Sequence, residues 1–301
     1  MENKSTDKQD MDNQSIDKED FYEGLEDRKK KEIEHSDRRR QIVTGYEYFT
    51  DSSDEDLKRD YVTSEEEYDY HFSNTKFYSI TSSSFAYRDT LLYPDLEGKI
   101  ALDWCCGNGE IGIAMAQSGA KEVHGVDISD VSVSNATSLS NELGVSEACN
   151  FVQMDAEKMT YTDNKFDIVH EYGALHHVDL EVSYKEVARV LKPNGKFICT
   201  EALRHNPFIH WYRKRSMHLR TQWEVEHILS VEDIHKALKY FNNVKIRYFH
   251  LFALGAIPFR KFFFFKPLLS LLELFDSIIL RIPLIRRWAW VAVIELSDPK
   301  K

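Results

Sequence analysis

The segment KIALDWCCGNGE, residues 99–110, constrains the fold of this chain more than any other stretch. An apolar run with an acid near its end leads to Gly107, Gly109 and Gly112, and a segment of helical character follows. This order predicts a β-strand, a glycine turn and an α-helix. Glycine adopts positive φ readily and lets a ligand approach the main chain, while the start of a helix offers free N–H groups. A nucleotide-like ligand is therefore the first hypothesis.

Two classes of enzyme fit this glycine spacing. The pattern G-x-G-x-x-G is typical of nicotinamide and flavin enzymes, and a methyltransferase that uses S-adenosylmethionine fits it as well. The next apolar segment ends at Asp127, twenty residues beyond Gly107, where a carboxylate would hold a ribose diol in either class. The glycines alone leave both classes open.

The segments that follow the turn distinguish these two classes. Asp103 precedes the turn, so the motif reads D-x-C-x-G-x-G, and FVQMDAEKM, KFDIVHEYGALHHV and ARVLKPNGKF come after it in that order. As a set they resemble the motifs of class I S-adenosylmethionine-dependent methyltransferases of the type 11 kind, which usually have glycine where this chain has Cys105. The resemblance covers roughly residues 98–201. It implies a Rossmann-like α/β fold, a mostly parallel sheet with helices on both faces, and S-adenosyl-L-methionine as cofactor.

The resemblance also implies roles for the residues of the turn. Asp103 would orient the loop or meet the amino group of the cofactor. The backbone of Cys105, Gly107 and Gly109 would pass beneath the methionine and the ribose. Cys105 places a side chain at a crowded position, which is compatible with binding provided that Cys105 keeps negative φ.

Further along the chain, four matching residues would hold the nucleoside. Asp127 would accept hydrogen bonds from both ribose hydroxyls, and Ile128 would face the adenine. Asp155 would accept from the adenine amino group, and Ala156 would offer a backbone N–H to the ring. Each acid could instead be a helix cap.

Methyl transfer from a sulfonium is a direct displacement that mainly needs alignment and desolvation, but an oxygen acceptor also needs a base. We predict Glu171 as a cofactor contact and a candidate base, and His177 and His205 as candidate bases, because histidine titrates near neutrality. His176 and Glu201 are further candidates. Any of these histidines could instead be structural.

Composition excludes several classes of protein. A formal charge of −11 argues against nucleic-acid binding, which needs clustered Lys and Arg. Four cysteines without a C-x-x-C pair, and irregularly spaced histidines, indicate neither a disulfide framework nor a metal site. The polar N-terminus predicts no signal peptide, and the thiols favour a cytoplasmic protein.

The chain divides into four predicted regions. Residues 1–45 read as a disordered charged arm, and residues 46–97 as a helical N-terminal cap in which Tyr78 touches the methionine end of the cofactor or the substrate. These aromatic residues could instead only pack the cap on the sheet. Residues 98–201 form the cofactor-binding core, with strands near 99–104, 122–126, 150–154, 166–170 and 195–201. Residues 202–301 hold a substrate-pocket insertion, closing strands and an apolar C-terminal helix.

Residues 249–290 are apolar and basic in an otherwise acidic chain. Ser270, Glu273, Ser277 and Arg281 predict one narrow polar stripe on an apolar helix. Charges interrupt each apolar run before the roughly 18 residues that a membrane span requires. Peripheral membrane contact is one hypothesis, and the alternatives are a cover for the substrate domain or a homodimer face.

These patterns together predict S-adenosylmethionine-dependent methyl transfer, at oxygen, to a small-molecule, glycan or lipid-linked acceptor. The alternatives are an NAD(P)-dependent oxidoreductase and a cofactor-binding scaffold without catalysis, for which Cys105 is the one hint. We predict a cytoplasmic protein, with the membrane surface as the second location.

Overall fold

The computed structural model describes residues 18–42, 74–217 and 220–301. The predictions for residues 1–17 and for residues 43–73 fall outside this part of the chain. The described α-helices are α1 (Lys18–Glu23), α2 (Asp27–Ile42), α3 (Ser82–Leu92), α4 (Glu110–Gln117), α5 (Asp130–Glu142), α6 (Leu180–Val190), α7 (Pro207–Arg215), α8 (Gln222–His227), α9 (Val231–His235), α10 (Phe265–Ile279) and α11 (Pro283–Arg286). Short 3-10 helices cover Thr75–Ile80, Leu175–His177, Lys236–Lys239 and Ala253–Phe259.

Seven strands form one sheet in the order β3-β2-β1-β4-β5-β7-β6. β1 to β5 pair in parallel, and β7 runs antiparallel between β5 and β6. The predicted mostly parallel Rossmann-like sheet is confirmed. Its strands are β1 (Ile100–Trp104), β2 (Glu122–Asp127), β3 (Cys149–Gln153), β4 (Phe166–Tyr172), β5 (Leu191–Ala202), β6 (Phe241–Phe249) and β7 (Val291–Pro299).

Side chains that alternate along the strands are buried on both faces of this sheet. In β1, Leu102 and Trp104 join one buried cluster, whereas Ala101 joins another on the opposite face. Such double burial is what a parallel sheet with helices on both faces requires. The strand order reverses between β1 and β4, because β1 has β2 on one side and β4 on the other. A ligand crevice is expected at this switch point, beyond the carboxyl ends of the strands.

The prediction of a disordered arm was wrong for residues 18–42, which form α1 and α2. Low apolar content suggested that this segment could not offset its ordering entropy. However, α2 packs beside α5 and pairs its charges with buried carboxylates of the core. Ion pairing with partners more than 120 residues away stabilises this helix, and composition does not report it.

The predicted polar stripe of the C-terminal helix α10 is divided between its two faces. Of the expected polar stripe, Ser270 and Ser277 are exposed, whereas Glu273 turns inward and accepts a hydrogen bond from Ser83 at 2.5 Å. Asp276 is buried and accepts from the backbone amides of residues 251, 252 and 253 at 2.8–3.1 Å. The helix therefore turns both carboxylates toward the protein, whereas Leu271, Leu274, Phe275 and Ile278 are exposed to the solvent. In the residues that the model covers, no helix is both long and apolar enough to cross a bilayer.

Candidate active site

A cavity of about 680 Å³ lies at the predicted crevice, beyond the carboxyl ends of the parallel strands. Its wall has three parts, which differ in chemistry. The first part is the glycine turn with the acids that follow β1, β2 and β3, and the second is a group of histidines and glutamates after β4 and β5. The third is apolar and aromatic, and includes Phe77, Tyr78, Ile209, Tyr212, Trp290 and Val291.

The turn after β1 is left-handed at three positions. Gly107 has φ of 54° and Gly109 has φ of 80°, and Cys105 adopts φ of 57°. Cys105 therefore does not meet the condition of negative φ that was set from the sequence, and it lines the cavity in the left-handed conformation. The turn imposes the same backbone that a glycine would take there, at a cost of about 1–2 kcal/mol for a residue with a side chain. Burial raises the pKa of the Cys105 thiol, which stays protonated.

The glycines of this motif also make room for a ring from β3. A Cβ atom on Gly109 would stand 2.8 Å from the Phe151 ring, and one on Gly125 would stand 2.2 Å from it. A Cβ atom on Gly112 would stand 3.3 Å from the same ring. Phe151 thus occupies a notch that three glycines leave open between α4 and β2. Part of the glycine signal in the sequence reports packing of this ring.

Asp103 uses both carboxylate oxygens to fix the turn. Oδ2 accepts from the backbone N–H of Gly112 at 2.8 Å, and Oδ1 lies 2.9 Å from Nδ1 of His170. Asp103 and His170 are buried, and burial lowers the pKa of His170 despite the neighbouring carboxylate. These contacts are those of a residue that orients the loop, the first of the two predicted roles.

Asp127 ends β2 with its carboxylate held by the backbone. Oδ2 accepts from the N–H of Gly107 at 2.9 Å, and Oδ1 accepts from the N–H of Ser129 at 2.9 Å. These two hydrogen bonds preset the orientation of the carboxylate, and Asp127 lies on the cavity wall. Ile128, the next residue, lies on the same wall.

After β3, a pair of acids meets two cations from α2. Asp155 lies 2.6 Å from Nζ of Lys29, and Glu157 accepts from Nη2 of Arg28 with both oxygens at 2.7 and 2.8 Å. Lys29 also lies 2.9 Å from Glu157. Ala156, between the acids, is buried on the cavity wall. Helix α2 therefore closes over the predicted adenine position.

Glu171 and Glu201 form a buried acidic pair beside the 3-10 helix Leu175–His177. Glu171 accepts from the backbone N–H of Ala174, and Glu201 accepts from that of Leu175 at 2.6 Å. Burial and the charge of Glu201 raise the pKa of Glu171 well above its usual range. Glu171 does not line the cavity, contrary to the prediction, because its side chain supports the turn from beneath.

His176 and His177 face the cavity with different carboxylate partners. Nδ1 of His176 lies 2.9 Å from Glu201, and Nδ1 of His177 lies 2.9 Å from Glu32 on α2. Burial would lower the pKa of His177, but the Glu32 carboxylate outweighs it and holds the pKa above its ordinary value. The hydroxyl of Thr221 donates to the same Glu32. α2 thus bridges the histidine turn and the insertion after β5.

The structure separates two of the sequence candidates from one another. His205 does not line the cavity, because it lies beside Glu232 at 3.6 Å on the far side of the insertion. Tyr78 does line the cavity, from the 3-10 helix Thr75–Ile80. Position relative to the strand ends explains both outcomes, since the chain leaves the sheet after Ala202 and passes into α7.

Several lining residues carried no signal in the sequence. They are charged and come from α2, from the loop after β3 and from the insertion after β5: Arg28, Lys29, Glu32, Glu157, Arg213, Arg220 and Glu224. Arg213 is buried and donates to the carbonyl of Leu203 at 3.0 Å, and burial lowers its pKa to about 10. Arg220 pairs with Glu224 at 3.0 Å. Only Glu157, two residues beyond Asp155, could have been found from the motif.

No group of three or more His, Cys, Asp or Glu side chains suited to a metal ion occurs in residues 18–42, 74–217 and 220–301. A parallel sheet, a glycine turn after its first strand and acids at the next strand ends define a nucleotide-binding α/β protein.

Comparisons with known proteins narrow this class. Residues 95–244 match the family model described as a methyltransferase domain. A sterol 4-C-methyltransferase from Caenorhabditis elegans is 31% identical over 139 residues, which are 44% of this chain and 39% of that protein. The 27-O-demethylrifamycin SV methyltransferase from Amycolatopsis mediterranei is 35% identical over 106 residues, which are 35% of this chain and 39% of that protein. The chain thus spans well under half the length of either relative.

A solved structure of geranyl diphosphate methyltransferase, in complex with GPP and sinefungin, shares the fold. It superposes with a TM-score of 0.52 at 14% identity, over 73% of this chain and 78% of that one. The chain belongs to the class I S-adenosylmethionine-dependent methyltransferases, as the motifs predicted. The nicotinamide alternative is not favoured.

The residues present fit the cofactor of this family, S-adenosylmethionine. The carboxylate of Asp127 is preset by two backbone amides on the cavity wall, as a ribose diol requires. Cys105, Cys106, Gly107 and Asn108 of the turn line the cavity, whereas Gly109, which the motif also assigned to the cofactor, does not, because its Cα faces Ala136 and Phe151. The cavity volume also lies within the range of roughly 300–1,000 Å³ that is usual for small-molecule sites.

Proposed function

We propose that this protein transfers a methyl group from S-adenosylmethionine to a small, largely apolar acceptor. When bound, this cofactor supplies a methyl group on a positively charged sulfur. Asp127 holds the ribose in this proposal, Asp155 and Ala156 meet the adenine, and Asp103 keeps the turn in place. The backbone from Cys105 to Gly109 passes beneath the methionine.

One observation carries the proposal: the acidic and aromatic walls belong to the same cavity. The acids of β1 to β3 line one side, and Phe77, Tyr212 and Trp290 line the other. Phe77 contacts both partners edge-on, with ring centroids 4.7 Å from Tyr212 and 5.6 Å from Trp290. Aromatic walls favour an acceptor with an apolar body and exclude water from the displacement.

For an oxygen acceptor we propose His176 as the base, in place of His205 and Glu171. With the Nδ1 proton donated to Glu201, the neutral ring keeps a lone pair on Nε2. In this role Nε2 of His176 would take the proton of an acceptor hydroxyl as that oxygen receives the methyl group. His177 is the weaker candidate, since its raised pKa keeps it protonated at higher pH.

Oxygen and carbon acceptors are both represented among the relatives. One is named as a sterol 4-C-methyltransferase and another as a 27-O-demethylrifamycin SV methyltransferase. The His176–Glu201 pair favours oxygen, because a hydroxyl acceptor must give up a proton and an imidazole whose orientation a carboxylate fixes on the cavity wall can take it. The aromatic wall favours a lipid-soluble or lipid-linked acceptor over a glycan.

Calorimetric titration with S-adenosylmethionine, S-adenosylhomocysteine and NAD tests the cofactor assignment. We expect the first two to bind and NAD not to bind. Asp127→Ala should weaken binding by at least about 100-fold, because it removes two charge-assisted hydrogen bonds of ~1.5–3 kcal/mol each. Asp95→Ala, at an exposed acid outside the cavity, is the control. Binding of NAD alone, or unchanged affinity in Asp127→Ala, would overturn this assignment.

Transfer of a tritiated methyl group to a panel of lipid-soluble alcohols and phenols tests the base. His176→Gln should lower kcat by roughly 10²–10⁴-fold and leave the affinity for S-adenosylhomocysteine unchanged. His177→Gln is the comparison variant, and its kcat should fall by a smaller factor. Equal kcat in His176→Gln and the natural protein would exclude His176, and nuclear magnetic resonance of the product identifies oxygen or carbon as the methylated atom.

We also keep two partner predictions as proposals, a homodimer and a cytoplasmic protein at a membrane surface. Both concern residues 249–290, where the exposed side chains are mostly apolar. The positive charge of this segment bears on the choice between them.

A further inference from the structure

The exposed apolar side chains of this protein are concentrated in one segment. Eleven of the eighteen large hydrophobic residues that are exposed in the described part of the chain lie between residues 252 and 288. Phe263 is 96% exposed, Leu284 is 76% exposed and Leu271 is 64% exposed. Single exposed hydrophobic residues are ordinary, but a cluster of this size marks an interaction surface. We call it the apolar surface; it comprises Phe259, Phe262, Phe263, Leu271, Leu274, Phe275, Ile278, Ile282 and Leu284.

Helix α10 forms the centre of the apolar surface and is held in this orientation by its own polar residues. Glu273 and Asp276 turn toward the protein, where Ser83 and three backbone amides satisfy them. Leu269 is buried on the same inner side. An ordinary surface helix turns its carboxylates to water. This helix is anchored through them, so its leucines and phenylalanine face outward as part of the native fold.

Positive charge surrounds the apolar surface. Between residues 252 and 288 the sequence has six Lys and Arg against two acids, in a chain of net charge −11. Both acids are the inward ones of α10. Three of these cations are exposed and make no ion pair with any described residue: Lys261, Lys266 and Arg281. The outward-facing charge of this surface is therefore entirely basic.

The apolar surface also lies one layer away from the cavity. Leu268, Leu269 and Leu272 of α10 pack into the cluster that contains Phe77 and Trp290, which line the cavity. The 3-10 helix Ala253–Phe259 packs against the 3-10 helix Thr75–Ile80, which carries Phe77 and Tyr78. Whatever binds the apolar surface is therefore held beside the aromatic wall.

We propose that the apolar surface docks on an anionic lipid bilayer. Phenylalanine and leucine side chains enter the boundary between headgroups and acyl chains, and Lys261, Lys266 and Arg281 meet the lipid phosphates. A two-fold homodimer through the same surface would bring like charges together, because both halves of such an interface are the same patch. A bilayer supplies the opposite charge, so the basic rim favours the lipid occupant.

Co-sedimentation of the full chain with vesicles tests this docking. Phosphatidylcholine vesicles with and without phosphatidylglycerol are compared, at low and high salt, with no cofactor or acceptor present. We expect binding to the anionic vesicles, weakened by salt. Phe263→Glu and Leu274→Glu should each weaken binding at least tenfold, and Lys261→Glu about fivefold or more, as expected for loss of one basic residue near the surface. Leu238→Glu, at an exposed leucine outside the surface, should bind normally.

Each contrary outcome overturns the proposal in a recognisable way. The natural chain could fail to bind anionic vesicles and sediment as a dimer that Leu274→Glu dissociates. That result would assign the surface to a second copy of the chain. No binding and a monomer would mean that the surface is covered from within, for which the acidic residues 43–73 are the candidate. Binding that Leu238→Glu weakens as much as Leu274→Glu would show non-specific adsorption. The docking does not rest on methyl transfer, since it is measured without turnover, and cofactor affinity serves as the folding control.

Discussion

The two sides of the cavity are built in different ways. On the cofactor side, acids at the ends of neighbouring strands are oriented by backbone amides of the turns beside them, as Asp127 is by Gly107 and Ser129. On the acceptor side, contacts join distant segments through side chains, as Glu32 joins α2 to His177 and to Thr221. The first side is set by local backbone geometry, and the second exists only once the tertiary structure has formed.

This difference implies unequal tolerance to change. Backbone amides cannot be removed by substituting a side chain, so the shape of the turns on the cofactor side should be lost mainly where a glycine is replaced. The acceptor side depends on charge pairs, which lose one partner with a single substitution. Four experiments test this contrast, in order of decreasing expected effect.

Gly109→Ala should be the most damaging of these substitutions. It places a Cβ 2.7 Å from Ala136 and 2.8 Å from Phe151, at a φ of 80°. We expect a loss of about 2–4 kcal/mol in the free energy of unfolding, from overpacking added to backbone strain. Urea denaturation measures it. Gly144→Ala is the matched control, because Gly144 has φ of 69° and no neighbour within 4 Å of an added Cβ. Equal losses in the two variants would mean that the notch for Phe151 is not tight.

Lys29→Met tests whether α2 contributes to holding the cofactor. It removes the cation that lies 2.6 Å from Asp155 and 2.9 Å from Glu157, and it keeps the apolar stem. We expect about a tenfold faster dissociation of S-adenosylhomocysteine, because the helix no longer closes over the adenine position. That corresponds to ~1.4 kcal/mol.

Stopped-flow displacement measures this rate, and Lys30→Met on the same helix is the control. Tighter binding in Lys29→Met would contradict the expectation. It would show instead that the lysine competes with the ligand for Asp155.

Glu32→Gln tests the acceptor side through the pH dependence of the free energy of unfolding. The folded pKa of His177 is raised, so its contribution to stability is complete below the ordinary histidine value of about 6.5 and is lost as pH rises through the folded pKa. The pKa of Glu32 is lowered, because the His177 contacts outweigh the effect of burial, so its contribution disappears as pH falls below about 4.3.

The pair should therefore stabilise most between these two values. We expect the natural protein to exceed Glu32→Gln by roughly 1 kcal/mol near pH 6, where urea denaturation measures it, and by less near pH 9. Glu34→Gln is the control on α2: it removes the charge of the carboxylate that accepts from the Tyr22 hydroxyl of α1, and it should show no such pH dependence. A constant difference across pH would mean that Glu32 acts only through Thr221.

Cys105→Gly should have the smallest effect, and it should be favourable. The substitution relieves a non-glycine residue at φ of 57° and restores the usual glycine of the motif. We expect a gain of up to about 1 kcal/mol, reduced by the lost packing of the side chain. Thermal unfolding measures it, with Asn164→Gly, at φ of 58° on the surface, as the control. A clear loss of stability would show that the thiol packing outweighs the strain.

The accuracy of the sequence predictions follows the same division of the cavity. Strand ends, the glycine turn and the acids Asp103, Asp127 and Asp155 could be placed from the motif, because each belongs to a segment whose conformation is local. His177 and Tyr78 also reached the cavity. Glu171 and His205 did not, since one supports a turn from beneath and the other follows the chain away from the sheet.

The sequence by itself determined the α/β fold, the position of the cofactor crevice and the family, because alternating apolar segments and glycine turns specify these locally. Only the tertiary structure decided that α2 covers the crevice, that His176 meets Glu201, and that α10 turns its carboxylates inward. Each of these depends on partners more than twenty residues apart in the chain. Composition described α2 as unable to order itself and α10 as an apolar helix with a polar stripe. The electrostatic and hydrogen-bond contacts that fix both helices arise only when the rest of the fold brings their partners together.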